Sequence, residues 1–240
     1  MNRRVFITGT STDVGKTYIS SLLVKSLREN NINCGYFKGA LSGAYLEDNE
    51  LLPGDAKEVC TRSNLNCNPK DLVSYIFKEP VSPHLAAKIN NQIIELNKIK
   101  EDFDRISKNY DFMVVEGCGG IVCPLRFDDK KIMLTDIIKL LNLPIIIVAD
   151  GGLGTINDTV LTTEYAKSQG FSIIGIILNN YDENNIMHID NKKMIEELTK
   201  IPVIACVKEN DESINISLKE IIEKYNIWNI KGWLMPSFLF

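Results

Sequence analysis

The stretch Gly9-Thr10-Ser11-Thr12-Asp13-Val14-Gly15-Lys16-Thr17 lies between the apolar run Val5-Phe6-Ile7 and a segment with helical spacing, and its reading decides the fold. A glycine-rich turn from strand to helix lets backbone N–H groups converge on an anion at the positive end of the helix. Gly15-Lys16-Thr17 at the helix start adds a lysine that can reach outer phosphates and a hydroxyl that can meet a magnesium ion. The loop therefore reads as the phosphate cradle of a nucleotide-binding protein. The strict pattern has a glycine five positions before Gly15, where this chain has Thr10; here the glycine comes one residue earlier, at Gly9.

Outward from this loop, β-type apolar runs alternate with helical patterns, which predicts a mostly parallel central sheet with helices on both faces. The expected strands are Val5–Thr8, Cys34–Lys38, Phe112–Glu116, Pro144–Ala149, Ile173–Leu178 and Pro202–Val207. Helices are expected over 17–30, 95–109, 131–141, 155–168, 190–199 and 216–225. Residues 39–54 and 61–82 read as irregular, polar, candidate substrate loops. With no repeat and no Pro-, Gly- or Ser-rich linker, one P-loop α/β domain over 1–240 is the expected organisation.

Composition narrows the function classes. The 240 residues are 45% hydrophobic with a formal charge of -4, enough chain to bury a substantial core. Lysines and arginines are scattered among acids, so no basic stripe predicts a nucleic-acid partner. No run approaches the roughly 18 apolar residues of a membrane span, and Met1-Asn2-Arg3-Arg4 leads into a strand too short for a signal peptide. The six cysteines form no CxxC pair and there are only two histidines, His84 and His188. That composition fits reduced thiols in a cytoplasmic protein better than a zinc site.

Several residues could carry chemistry, each with a plainer alternative. Glu116 ends an apolar strand before Gly117-Cys118-Gly119-Gly120, where a carboxylate faces the ligand crevice of an open α/β sheet and suits a hard cation; it also reads as a solvated strand-end acid. Asp55 follows Pro53-Gly54 and reads as a helix N-cap or as a ligand. Lys38 at a strand end, with Ser42-Gly43 after it, carries no signal alone. Gly151-Gly152-Leu153-Gly154-Thr155-Ile156-Asn157 is either a second anion-binding turn or a structural one. Asn179 contacts a base or terminates a strand, and His84 more simply caps a helix after Ser82-Pro83.

Taken together, the loop at 9–17, Lys38 with Ser42-Gly43, Asp55, Ser82-Pro83-His84, Val115-Glu116-Gly117-Cys118-Gly119-Gly120 and Gly154 with Asn157 resemble the dethiobiotin synthetases in order and spacing. The resemblance spans about 5–180. It implies an ATP-dependent ring closure in which 7,8-diaminononanoate and CO₂ (or bicarbonate) become dethiobiotin through a carbamate and a carbamic-phosphoric anhydride. By position, Asp13, Val14, Gly15, Lys16, Thr17 and Tyr18 would line the nucleotide, with Gly117, Cys118, Gly119 and Asn179. Thr17, Asp55 and Glu116 would surround Mg²⁺. Lys38, Lys16 and Thr12 would be catalytic, and Thr12, Ser42, Gly154, Thr155 and Asn157 would meet substrate. The resemblance also implies a homodimer with the active site at the subunit interface, Asn157 serving the other chain. Ser11, Gly39, Asn180 and the segment Ala205–Lys208 depart from the family pattern, the last two near the base.

Three rivals use the same loop. A partitioning or assembly ATPase commonly carries a second lysine early in the glycine loop, where Thr10, Ser11 and Thr12 stand. The ATP-dependent domain of an amidoligase would need a glutaminase partner. A non-catalytic nucleotide-binding protein would not need carboxylates at both magnesium positions.

Overall fold

Strands buried on both faces need continuous apolar runs, and the runs in this chain stack side by side. The computed structural model describes residues 3–216. One sheet is built from β1 (Arg3–Gly9), β2 (Cys34–Ser42), β5 (Val73–Phe77), β6 (Phe112–Glu116), β9 (Ile145–Asp150), β10 (Ile173–Asn179) and β11 (Val203–Cys206). Its order is β11-β10-β9-β1-β6-β2-β5, every pairing parallel. β1 is central, so the phosphate loop leaves the middle of the sheet at the C-terminal edge of the strands, where ligands of open α/β sheets bind.

Seven helices are assigned among the described residues: α1 (Lys16–Glu29), α2 (Gly54–Ser63), α3 (Pro83–Ile89), α4 (Leu96–Ser107), α5 (Leu134–Leu141), α6 (Thr155–Ser168) and α7 (Ile186–Thr199). Alternation along β2 sorts them. Phe37 meets Phe103 of α4 edge-on, and a Cβ at Gly39 would meet Ile137 of α5 and Ile99 of α4. The alternate residues Tyr36 and Lys38 face the side of α1 and α2. One face of β2 is thus committed to packing and the other to polar chemistry.

Several expectations are corrected. β2 continues four residues past Lys38 to Ser42, so Lys38 is interior to the strand and Ser42 ends it. Residues 39–54 are not irregular: beyond β2 they hold the hairpin β3 (Tyr45–Glu47) and β4 (Glu50–Leu52). Residues 61–82 include the end of α2, a 3-10 turn over Pro69–Leu72 and the edge strand β5, whose Val73, Tyr75 and Phe77 alternate into the core. The helix expected over 131–141 starts at Leu134, because Lys131–Met133 (β8) pairs with Pro124–Phe127 (β7). α7 starts at Ile186, capped by Asn185, whose side chain accepts from Met187 N. The expected helix 216–225 lies essentially outside the described residues. No helix among the described residues is long and apolar enough to cross a membrane.

Candidate nucleotide and carbamate site

The phosphate loop needs two left-handed residues, Asp13 (φ 61) and Gly15 (φ 89). At Gly15 a side chain is also excluded by contact, since a Cβ would lie 2.1 Å from Nδ2 of Asn179. The buried Lys16 donates from Nζ to the Ser11 carbonyl at 2.9 Å, bracing the loop from inside. Burial, and then the neighbouring Lys38 ammonium, hold the Lys16 amine below its ordinary value. An anion entering the loop offsets both influences by favouring the ammonium form.

Lys38 and Glu116 are register partners on β2 and β6, which places their side chains on one face. Lys38 Nζ donates to Glu116 Oε1 and to Asp55 Oδ2, both at 2.5 Å. Thr17 donates its hydroxyl to the same Glu116 oxygen at 2.8 Å, and Tyr36 donates to Oε2 at 2.8 Å. The Glu116 carboxylate is fully buried and its two oxygens accept three hydrogen bonds, so its charge is compensated within the site. Burial alone would lower the Lys38 amine; Glu116 and Asp55 outweigh it and hold it above its ordinary value, so it is a permanent cation. Burial and then Glu116 keep the Tyr36 phenol protonated, hence a donor.

Asp55 is not an N-cap. Pro53 takes that position, and Asp55 sits in the first turn of α2 with its carboxylate turned to Lys38. Tyr36 was not marked in the sequence; its position two residues before Lys38, on the same face of β2, is the signal that could have found it.

The donor set fits magnesium. Two carboxylates, Asp55 and Glu116, already hold a cation between them, the Lys38 ammonium, and the Thr17 hydroxyl lies against the same Glu116 oxygen. So few protein oxygens suit an ion that takes its remaining ligands from phosphate and water. The base end fits as well. Asn179 donates from Nδ2 to the Val14 carbonyl at 3.2 Å, which fixes its amide, and leaves Oδ1 buried with no partner. An unpaired buried acceptor next to the phosphate loop is matched by an amino group on a base. Tyr18 donates its hydroxyl to the Asp211 carbonyl in the loop after β11, under the Arg62 guanidinium.

Gly119 and Gly120 run along the phosphate loop, where a Cβ at Gly120 would lie 3.3 Å from the Thr10 carbonyl and one at Gly119 3.8 Å from Thr12 Oγ1, whereas a Cβ at Gly117 would meet Leu134 and Phe6 of the core. Thr12 is exposed there, facing outward. Ser42, half-buried at the end of β2, is paired in register with Phe77. Gly154, Thr155 and Asn157 form the start of α6 but make no hydrogen bond to the Lys38 cluster. Thr155 is buried with its hydroxyl toward Thr159, and exposed Asn157 pairs with Asp158. Asn180, where the family pattern departs, donates to Asp150 Oδ2 at 2.7 Å, while Asp150 Oδ1 accepts from Gly152 N, so the residue after β10 is tied to the glycine turn after β9. His84 shares a hydrogen bond with Ser82 Oγ at 3.0 Å at the start of α3.

A strand-loop-helix phosphate cradle beside a buried lysine and two carboxylates, on a parallel sheet, defines a P-loop ATPase. The family model described as AAA domain matches residues 3–217. Among solved structures, the septum site-determining protein MinD complexed with Mg-ADP from Pyrococcus horikoshii OT3 aligns with a TM-score of 0.53 at 20% identity, covering 88% of this chain and 82% of that one. The ParA family ATPase from Chlorobium tepidum TLS aligns at 0.51 and 18%, covering 88% and 86%. At such identities these speak for the fold alone. Among curated proteins, the ATP-dependent dethiobiotin synthetase BioD of Clostridium botulinum (strain Alaska E43 / Type E3) is 54% identical over 226 residues, 94% of this chain and 99% of its own. That of the Loch Maree / Type A3 strain is 51% identical over 225 residues, again 94% and 99%. The chain belongs to the ATP-dependent dethiobiotin synthetase family.

Proposed function

We propose that this protein forms the cyclic urea of dethiobiotin from 7,8-diaminononanoate and CO₂, using ATP and releasing ADP and phosphate, as a cytoplasmic homodimer. The observation that carries the reading is the buried Lys38 ammonium between Asp55 and Glu116 beside the phosphate loop. In the overall chemistry, one amine of the diamine adds to CO₂ and loses a proton to give a carbamate. A carbamate oxygen takes the terminal phosphoryl group from ATP as ADP leaves. The second amine then attacks the activated carbon, and phosphate departs as the ring closes.

The residues of this chain serve those steps by charge and position. Backbone N–H groups from Asp13 to Thr17 and the Lys16 ammonium cradle the phosphates. Lys38 places a preorganised cation where carbamate and transferring phosphoryl group meet, an arrangement worth most when water is excluded. Thr17, Asp55 and Glu116 are the residues that would hold Mg²⁺, which supplies charge neutralisation at the phosphates when bound. Tyr36 keeps the Glu116 carboxylate turned toward Thr17 and Lys38. Thr12 and Ser42 contact the substrate near its reacting nitrogens, and the base lies against Asn179. The substrate carboxylate is bound at Gly154, Thr155 and Asn157 of the other subunit, where the N-terminus of α6 offers free backbone N–H groups.

The test is an incubation of purified protein with diaminononanoate, labelled bicarbonate, ATP and Mg²⁺. Acid-stable label in dethiobiotin, formed together with ADP, is the expected result. ATP hydrolysis indifferent to the diamine, with no stable label, would refute the reading.

A further inference from the structure

The described residues hold two cysteine pairs, and they differ in setting. Cys118 and Cys123 lie 3.9 Å apart, sulfur to sulfur, both buried in the loop packed on the phosphate cradle. Cys60 and Cys67 lie 3.6 Å apart at the far end of α2, with Cys67 partly exposed.

The backbone, rather than any attraction between thiols, brings the second pair together. Asn64 ends α2 in the left-handed conformation (φ 51), the usual residue for such a cap after glycine. Leu65 then donates its N–H back to the Cys60 carbonyl at 3.0 Å and buries its side chain, and Cys67 N–H bonds the Leu65 carbonyl at 3.0 Å. Arg28 donates to the carbonyls of Asn64 and Cys34, pinning this turn to the start of β2. The two sulfurs are therefore held in van der Waals contact at 3.6 Å in the folded protein, each within reach of the other.

We propose that Cys60 and Cys67 are a redox-active dithiol site that reacts with a hydroperoxide and closes to a disulfide in the folded protein, clasping the end of α2. Cys67 is the attacking sulfur, being the more exposed of the two. Its hydrogen bond with Cys60, and further help from Tyr110 and Arg28, hold its thiol below the ordinary value despite partial burial. The Cys67 thiolate attacks the terminal peroxide oxygen and the O–O bond breaks; a sulfenic acid forms, and the departing oxygen takes up the proton that the Cys67 thiol released, leaving as water from hydrogen peroxide or as an alcohol from an organic hydroperoxide. The Cys60 sulfur then attacks the Cys67 sulfur, the S–O bond breaks, and hydroxide leaves as water with the Cys60 proton. Two thiols give up two electrons to one hydroperoxide. Asp55, five residues before Cys60 and about 7.5 Å along the helix, keeps its contact with Lys38.

The experiment treats the full-length reduced protein with hydrogen peroxide near equimolar amounts, alkylates the remaining thiols and maps the peptides by mass. A Cys60–Cys67 linkage, reversed by dithiothreitol, is expected from the unmodified sequence, so no variant has to fold for the result to count. Oxidation should raise the midpoint of thermal unfolding by about 5 °C. Cys60→Ser should leave a sulfenic acid on Cys67 that dimedone traps. Linkage of Cys118 to Cys123 instead, linkage only in denaturant, an unbridged sulfenic acid in the unmodified protein, or a fall in the midpoint would each overturn the proposal.

Discussion

At the scale of single residues, the site is decided by what surrounds one carboxylate. Glu116 accepts from Lys38, Thr17 and Tyr36, and removing the only cation among these leaves a buried charge short of a partner. Lys38→Met should lower stability by about 3 kcal/mol in metal-free buffer. Added Mg²⁺ should then raise its unfolding midpoint more than that of the unaltered protein, because the ion replaces the missing ammonium; thermal melts with and without magnesium check this. Turnover of the same variant should fall far more than nucleotide affinity, since the cation is wanted chiefly in the transition state. Cys34 offers a second test. Its thiol is fully buried, and desolvation pushes it well above the ordinary value of 9.0. A raised folded value means its share of stability is complete below pH 9 and drains away as pH rises above that. Cys34→Ala should therefore flatten the alkaline stability slope by up to ~1.4 kcal/mol per pH unit between pH 9 and 10.5, as read from denaturant melts.

At the scale of elements, strands buried on both faces were legible because their apolar runs are unbroken, as in Ile145-Ile146-Ile147-Val148. β5 escaped because Val73-Ser74-Tyr75-Ile76-Phe77 is an edge strand embedded in polar sequence, and its signal is an alternation of only five residues. The reach of β2 past Lys38 was hidden for a related reason: Gly39-Ala40 has low strand propensity, yet contact with Ile137 and Ile99 fixes the strand there. The phosphate loop and Glu116 were legible as local patterns. The roles of Lys38, Asp55 and Tyr36 depend on contacts between residues 17 to 80 positions apart, which local reading leaves open. Packing between elements is tight enough to test at Gly175 of β10, where a Cβ would lie 2.5 Å from Ile204 of β11. Gly175→Ala should cost about 2 kcal/mol through forced separation of these strands, measured by urea unfolding. The effect should be recovered in part by Ile204→Ala.

At the scale of the whole molecule, the proposed dimer divides labour between chains. Lys38→Ala and Asn157→Ala variants should each be nearly inactive, whereas mixed dimers keep one intact site in two. Random reassociation should return about a quarter of the unaltered activity in the co-refolded mixture and about half in the separated, tagged heterodimers; heterodimers without activity would place the whole site in one chain. The strand order has a bearing on synthesis as well. β1 and β2 are never neighbours, because β6 is inserted between them, and the phosphate loop and Lys38 precede β6 by most of a hundred residues. On a growing chain, Lys38 faces an open slot until residues 112–116 emerge and fill it. Insertion of β6 therefore joins β1 to β2 and brings Glu116 to Lys38 in one event, with β9, β10 and β11 still to be added on the other side of β1.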